Sequence, residues 1–150
     1  METLRFEIEI EATREKVWKV LWDDETYRQW TLPFCEGISE GSYAESDWNE
    51  GSKIYFMSSN GDGMNSVIER KITNEYMAFK HIGELKNFVE MPINDATVQW
   101  SGAMETYRLT QNNTVTELEV SVDCVEKYVD YFQKIFPKCL GIVKDLSEKN

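Results

Sequence analysis

The stretch 101-SGAMETYRLTQNNTVTELEVSV-122 decides how this chain folds. Two alternating segments flank the polar run Gln111-Asn112-Asn113-Thr114, the pattern of a β-hairpin with a tight turn. Taking Asn112-Asn113 as a two-residue loop sets Gln111 opposite Thr114. Counting outward, Leu109 faces Thr116, Tyr107 faces Leu118, Glu105 faces Val120 and Ala103 faces Val122. On the other face Arg108 falls opposite Glu117, an ion pair suited to solvent. Leu118, Val120 and Val122 are the buried set, so Glu105 and Tyr107 point inward with them. A four-residue loop keeps that parity, whereas a three-residue bulged loop reverses it on one strand. A carboxylate on an apolar face must find a partner, because burying it unpaired costs several kcal/mol or protonates it.

The neighbouring segments read the same way. In 66-SVIERKITNEYMAFKHIG-83, a turn at Asn74-Glu75 places Ile72 opposite Met77, Arg70 opposite Phe79 and Ile68 opposite His81. Glu69 and Lys80 then pair on the outer face. His81, the only histidine, shares the inner face with Met77 and Phe79. Arg70 would also point inward, so either it meets a carboxylate such as Glu105 or a bulge or longer turn shifts the register. Upstream, SYAESDW and SKIYFMSS flank NEG, and NGDG at 60–63 is a stronger turn signal. KNFVEMPINDAT at 86–97 reads as a longer loop.

At the N-terminus, LRFEIEIE at 4–11 alternates strictly and reads as a half-buried strand. ATREKVWKVLW follows with helical period, Thr13 capping it and Val17, Val20 and Leu21 on one face. Asp23 and Asp24 interrupt it, a second short helix covers about Glu25 to Trp30, and Pro33 ends the region. Residues 126–148 return to helical period, with a stripe of Tyr128, Phe132, Ile135, Phe136, Cys139, Leu140, Val143 and Leu146. Pro137 lies inside it, which implies one long kinked helix or two helices meeting there. The order of strand, two helices, several antiparallel strands and a long helix is an α+β layout, one domain over residues 1–150. A strongly twisted sheet curling around a helix leaves room for a cavity.

Composition narrows the function. A chain of 150 residues buries roughly 70% of its unfolded surface and needs no disulfide or metal to build a core. The net charge of −11 argues against nucleic acid and against anionic membrane surfaces. Cys35, Cys124 and Cys139 lack disulfide or zinc spacing and read as reduced thiols of a cytoplasmic protein. No apolar run reaches membrane-spanning length, so no membrane insertion is expected.

Several stretches together resemble one family. FEIEIEATREKVWKVLWDDETYRQWT, EGSKIYF, the Gly63-Met64 pair, YMAFKHIGEL, WSGAMETYRLT and IFPKCLGIVKDLSE are similar to the activator of heat shock protein 90 ATPase homologue family. That family lies within the START-like (helix-grip, SRPBCC-type) superfamily, and the likeness is to an uncharacterised bacterial subgroup. It covers about residues 3–148. The resemblance implies a curved antiparallel sheet gripping a long C-terminal helix, with a cavity between them. It also implies that His81, Trp100, Glu105 and Tyr107 hold the subgroup's recurring polar and aromatic positions. Thr73 stands where a proline is usual, and Phe136 stands where a tryptophan is usual.

The candidate ligand-binding set is Phe56, Phe79, His81, Trp100, Glu105, Tyr107, Phe132 and Phe136. Apolar walls with a few convergent polar groups are what small-molecule sites have. The competing account of each aromatic residue is ordinary core, and of Glu105, His81 and Tyr107 a structural hydrogen-bond network. No catalytic residue is assigned: His81 is the sole candidate base and no nucleophile motif stands near it. No metal and no cofactor is expected, since one histidine and scattered thiols lack ligand spacing. The leading expectation is a non-enzymatic protein that binds a small hydrophobic or amphipathic molecule. A surface-acting partner of a chaperone ATPase is the alternative, and a helix-grip cyclase or hydrolase is a third.

Overall fold

The computed structural model describes residues 1–35 and 42–149, apart from the side chain of Cys35. The thiol reading of Cys35 therefore lies outside the described part, while Cys124 and Cys139 are buried. Strand β1 (Glu2–Ile10) is followed by helices α1 (Arg14–Trp22) and α2 (Asp24–Trp30) and a 3-10 turn at Leu32–Cys35. Strands β2 (Tyr43–Glu45), β3 (Lys53–Met57), β4 (Gly63–Ile72), β5 (Tyr76–Lys86) and β6 (Val89–Glu90) come next. Strands β7 (Met104–Asn112) and β8 (Val115–Cys124) then lead into α3 (Val129–Glu148). The eight strands described form one curved antiparallel sheet in the order β1-β8-β7-β5-β4-β3-β2, with β6 paired to β5. This is the α+β helix-grip arrangement expected from the sequence.

Local chemistry explains the elements. Thr13 caps α1 by accepting from the Lys16 N–H at 3.2 Å. In β1 the even positions from Leu4 onward turn toward the core, and Ile10 is fully buried. Helix α3 runs unbroken through Pro137 and presents Ile135, Phe136, Cys139, Leu140 and Val143 to the core. Ser147 is buried there too, whereas Tyr128 is exposed. The one-helix reading of residues 126–148 is thus correct, after a 3-10 turn at Glu126–Tyr128. Lys144 donates to the Glu9 carbonyl at 3.0 Å, and Glu148 accepts from the Glu11 N–H at 2.8 Å. Those two bonds tie the end of α3 to the end of β1.

Two registers differ from expectation. In the β7-β8 hairpin the loop is Asn113-Thr114, not Asn112-Asn113, and Asn112 faces Val115. Asn113 takes a left-handed φ of 59°, a conformation asparagine tolerates in such turns. Glu105 therefore faces Val122, Tyr107 faces Val120 and Arg108 faces Glu119. The slip is two residues, so the inward parity of Glu105 and Tyr107 survives. In the β4-β5 hairpin the turn is longer, with Ile72 opposite Tyr76 and Asn74 left-handed at φ 68°. A bulge between Ile68 and Arg70 then sets Ile68 opposite Phe79, not His81, brings Ser66 opposite His81, and pairs Lys80 with Val67, not Glu69. Arg70 is exposed as a result, which removes the awkward inward cation.

Gly63 stands where the β3-β4 ladder leaves no room for a side chain. A Cβ there would lie 1.8 Å from the carbonyl oxygen of Phe56 across the β3-β4 ladder. Gly141 in α3 is the opposite case, with nothing within 4 Å of a Cβ. Gly63→Ala is expected to destabilise the fold by about 3 kcal/mol, the upper end for overpacking. Gly141→Ala should stabilise it by about 0.8 kcal/mol through helix propensity. Denaturant titration of the two variants checks the opposite signs.

Candidate functional site

The sheet and the first half of α3 border a half-open cavity of about 450 Å³. Its walls come from α2 and the turn after it (Tyr27, Trp30, Phe34), from β3 and β4 (Phe56, Met64), and from β8 and α3 (Val122, Phe132). The walls are braced. The Trp30 indole donates to the Leu21 carbonyl at 3.1 Å, and its ring meets Tyr27 edge-on at 5.2 Å. Phe136 stacks on Phe6 at 5.0 Å and meets Phe34 edge-on at 5.1 Å. Edge and offset contacts of this kind hold rings in place beyond their area burial.

Six of the eight candidate residues line this space: Phe56, His81, Trp100, Glu105, Phe132 and Phe136. Phe79 and Tyr107 do not. Both are fully buried behind the wall, where Trp22 on α1 meets them edge-on at 5.2 Å and 4.9 Å. Sequence reasoning passed over Tyr27, Trp30 and Phe34 as site residues. The three-residue spacing of Tyr27 and Trp30 on one face of α2 was the available signal for those two, and Phe34, in the turn after it, had none.

The polar floor is a chain of four side chains running across β4, β5 and β7. Ser66 Oγ lies 2.7 Å from His81 Nδ1, and His81 Nε2 lies 3.0 Å from Glu105 Oε1. The Tyr107 hydroxyl donates to Glu105 Oε2. The hydrogen-bond inventory closes with the imidazole proton on Nε2: Ser66 donates to Nδ1, Nε2–H donates to Oε1, and the phenol donates to Oε2. His81 is held at this height by its own backbone. Its N–H donates to the Ala103 carbonyl at 2.8 Å, and its carbonyl accepts from the Gly102 N–H at 2.7 Å. Gly102 has a φ of 94°, so glycine is what permits that close return of the chain. The Glu105 side chain keeps about 19% of its exposure, facing the cavity.

A serine, a histidine and a glutamate in hydrogen-bond sequence invite comparison with a hydrolytic triad. Ser66 has no solvent exposure and is not part of the cavity wall, so no substrate reaches its oxygen. Its part is to hold the imidazole. Burial pushes the Tyr107 phenol well above its ordinary value near 10, and the charge of Glu105 adds to that.

Among the described residues one group of carboxylates converges, Glu7, Glu117 and Glu119. They lie on the opposite face of β1 and β8 from the core, where Glu7 is paired with Glu119 and Glu9 with Glu117. Desolvation and these like-charged neighbours raise the Glu117 carboxyl, a pattern of repulsion between strands.

Comparison with known proteins adds the following. A family model described as activator of Hsp90 ATPase homolog 1-like protein matches residues 11–133. No curated protein matches the chain. Among solved structures, DynU16, from the dynemicin biosynthetic locus, superposes with a TM-score of 0.70 at 13% identity. That match covers 99% of this chain, which spans about half of the other (48%). MLL2253 from Mesorhizobium loti gives 0.73 at 13% identity, covering 97% of this chain and 96% of that one. The Aha1 dimer from Colwellia psychrerythraea gives 0.68 at 18% identity, covering 99% and 98%. At these identities the likeness is one of fold.

The raised phenol of Tyr107 has a consequence for stability. Above pH about 10 the unfolded chain releases this proton while the folded chain retains it, so the folded state binds more protons and stability falls with rising pH. Tyr107→Phe is expected to be less stable near neutrality by about 1–2 kcal/mol, because Glu105 Oε2 loses its donor. Its stability should also decline less between pH 9 and 11 than that of the parent, roughly one unit either side of the free phenol value. Urea denaturation across that range checks both.

Proposed function

The chain belongs to the family of activator of Hsp90 ATPase homolog 1-like proteins, and from that premise we propose that it is a non-enzymatic, cytoplasmic binding protein for a small hydrophobic or amphipathic molecule. The observation that carries this reading is the braced aromatic cavity of about 450 Å³ with a polar group on its floor. That volume falls within the range of small-molecule sites, and its composition of apolar walls with few polar groups is theirs. A cavity kept open by ring contacts and by the Trp30 hydrogen bond is largely formed before a ligand arrives, which lowers the ordering cost of binding. In this reading Glu105 and His81 orient the ligand, Phe56, Trp100, Phe132 and Phe136 enclose it, and Phe79 and Tyr107 support the floor from behind. The serine hydrogen-bonded to His81, Ser66, has no solvent exposure, which favours binding over hydrolysis.

Two measurements test it. Native mass spectrometry of freshly purified protein is expected to show a retained small molecule. A neutral fluorescent probe such as N-phenyl-1-naphthylamine should bind saturably at one site. Ala103, which lines the cavity beside the floor, offers the control: Ala103→Phe fills part of the space and should weaken probe binding by at least about tenfold. Probe affinity unchanged by that substitution would remove the cavity from the account.

A second reading, action on a heat-shock ATPase, has its own support in the family description and in one surface feature. Phe88, Val89, Ile93 and Val98 are exposed apolar residues around β6 and the loop after it, a place for a protein partner rather than a small ligand. This reading expects saturable stimulation of a bacterial heat-shock ATPase, lost in a Phe88→Ser, Val89→Ser double variant. An ATPase rate unchanged at saturating protein would reject it.

A further inference from the structure

On the premise that the cavity is a binding site, we infer that its ligand carries a cationic head, such as a protonated amine, on an apolar body, with the head at Glu105. The charges of the wall are one-sided. Three acidic residues border it, Glu105, Asp62 and Asp123, of which Glu105 holds its carboxylate on the floor, and no lysine or arginine borders it among the described residues. Asp62 and Asp123 form no ion pair among the described residues. Asp123 instead accepts from the Thr3 hydroxyl at 2.6 Å and the Met104 N–H at 3.0 Å, and Asp62 accepts from the Asn87 N–H at 3.1 Å. Lys127 stands over the ring of the lining residue Tyr128 at 5.2 Å, and Tyr128 is itself exposed.

The floor is equally selective. His81 and Tyr107 each occupy one lone pair of a Glu105 oxygen, and each oxygen keeps a second to offer a ligand donor. An ammonium group supplies such a donor and compensates a carboxylate that is largely withdrawn from water. A ligand carboxylate would instead meet Glu105 as a like charge in a low-dielectric space, with no lysine or arginine among the described lining residues to mediate. Tyr27, Trp30, Phe56 and Trp100 border the same space, and aromatic rings attract a cation that reaches their faces.

Three probes sharing one naphthylethyl body, differing only in an amine, a hydroxyl or a carboxylate end, test the inference by isothermal titration calorimetry on the whole protein. The amine is expected to bind at least about tenfold more tightly than the carboxylate, with the alcohol between. Glu105→Gln should shrink the difference, as should roughly 0.5 M salt through screening. Equal or tighter binding of the carboxylate overturns the cation preference while leaving the binding function standing, because the alcohol reports the cavity itself. Failure of all three to bind overturns both. An amine preference undiminished in Glu105→Gln overturns the placement of the head at Glu105.

Discussion

Glu105 is the residue the rest of this structure is arranged around. It sits in a row across β5, β7 and β8 with Phe79 on one side and Val122 on the other, a carboxylate between two hydrophobes. Such a group stays in place only if its oxygens are satisfied. One oxygen takes the imidazole of His81 and the other the hydroxyl of Tyr107, and His81 in turn needs Ser66 on its far nitrogen. Each demand fixes a strand: β7 supplies two members of the chain, β5 one and β4 one. The Ile68–Arg70 bulge sets the register in which Ser66 meets His81. The network therefore pins the register of three neighbouring strands as well as forming the floor of the cavity.

Around that floor, two kinds of packing divide the interior. Toward α1, the rings of Trp22, Phe79 and Tyr107 touch one another and leave no space. Toward α2 and the first turns of α3, Trp30, Phe34, Phe56, Phe132 and Phe136 border the cavity instead. The same residue class is core under α1 and wall under α2 and α3. Leu140 and Val143 fill the closed end, while Phe132 and Phe136 border the open one.

The sequence was legible where periodicity is strong. Strict alternation in β1 and β8 and the apolar stripe of α3 led directly to the element order, and the inward parity of Glu105 followed from Leu118, Val120 and Val122. Parity was robust because a slip of two residues preserves it. Turn type was not, because Asn112-Asn113-Thr114 offers two adjacent loops of nearly equal chemistry and the choice rests on which asparagine turns left-handed. The Ile68–Arg70 bulge was visible only as discomfort, an arginine that would have pointed into the core. Whether an aromatic residue lines a cavity or backs it depends on where helices cross the sheet, which no local pattern encodes. That is why Phe79 and Tyr107 were grouped with the wall and Trp30 and Phe34 were not.

The most direct test of the account is a crystal structure of the protein with a neutral aromatic probe bound. The expected result is density for the probe between Phe56 and Phe132, with its polar atom within hydrogen-bond reach of Glu105 and the Ser66–His81–Glu105–Tyr107 chain intact. A cavity filled by the protein's own side chains, or a probe bound on the outer face of the sheet, would contradict it.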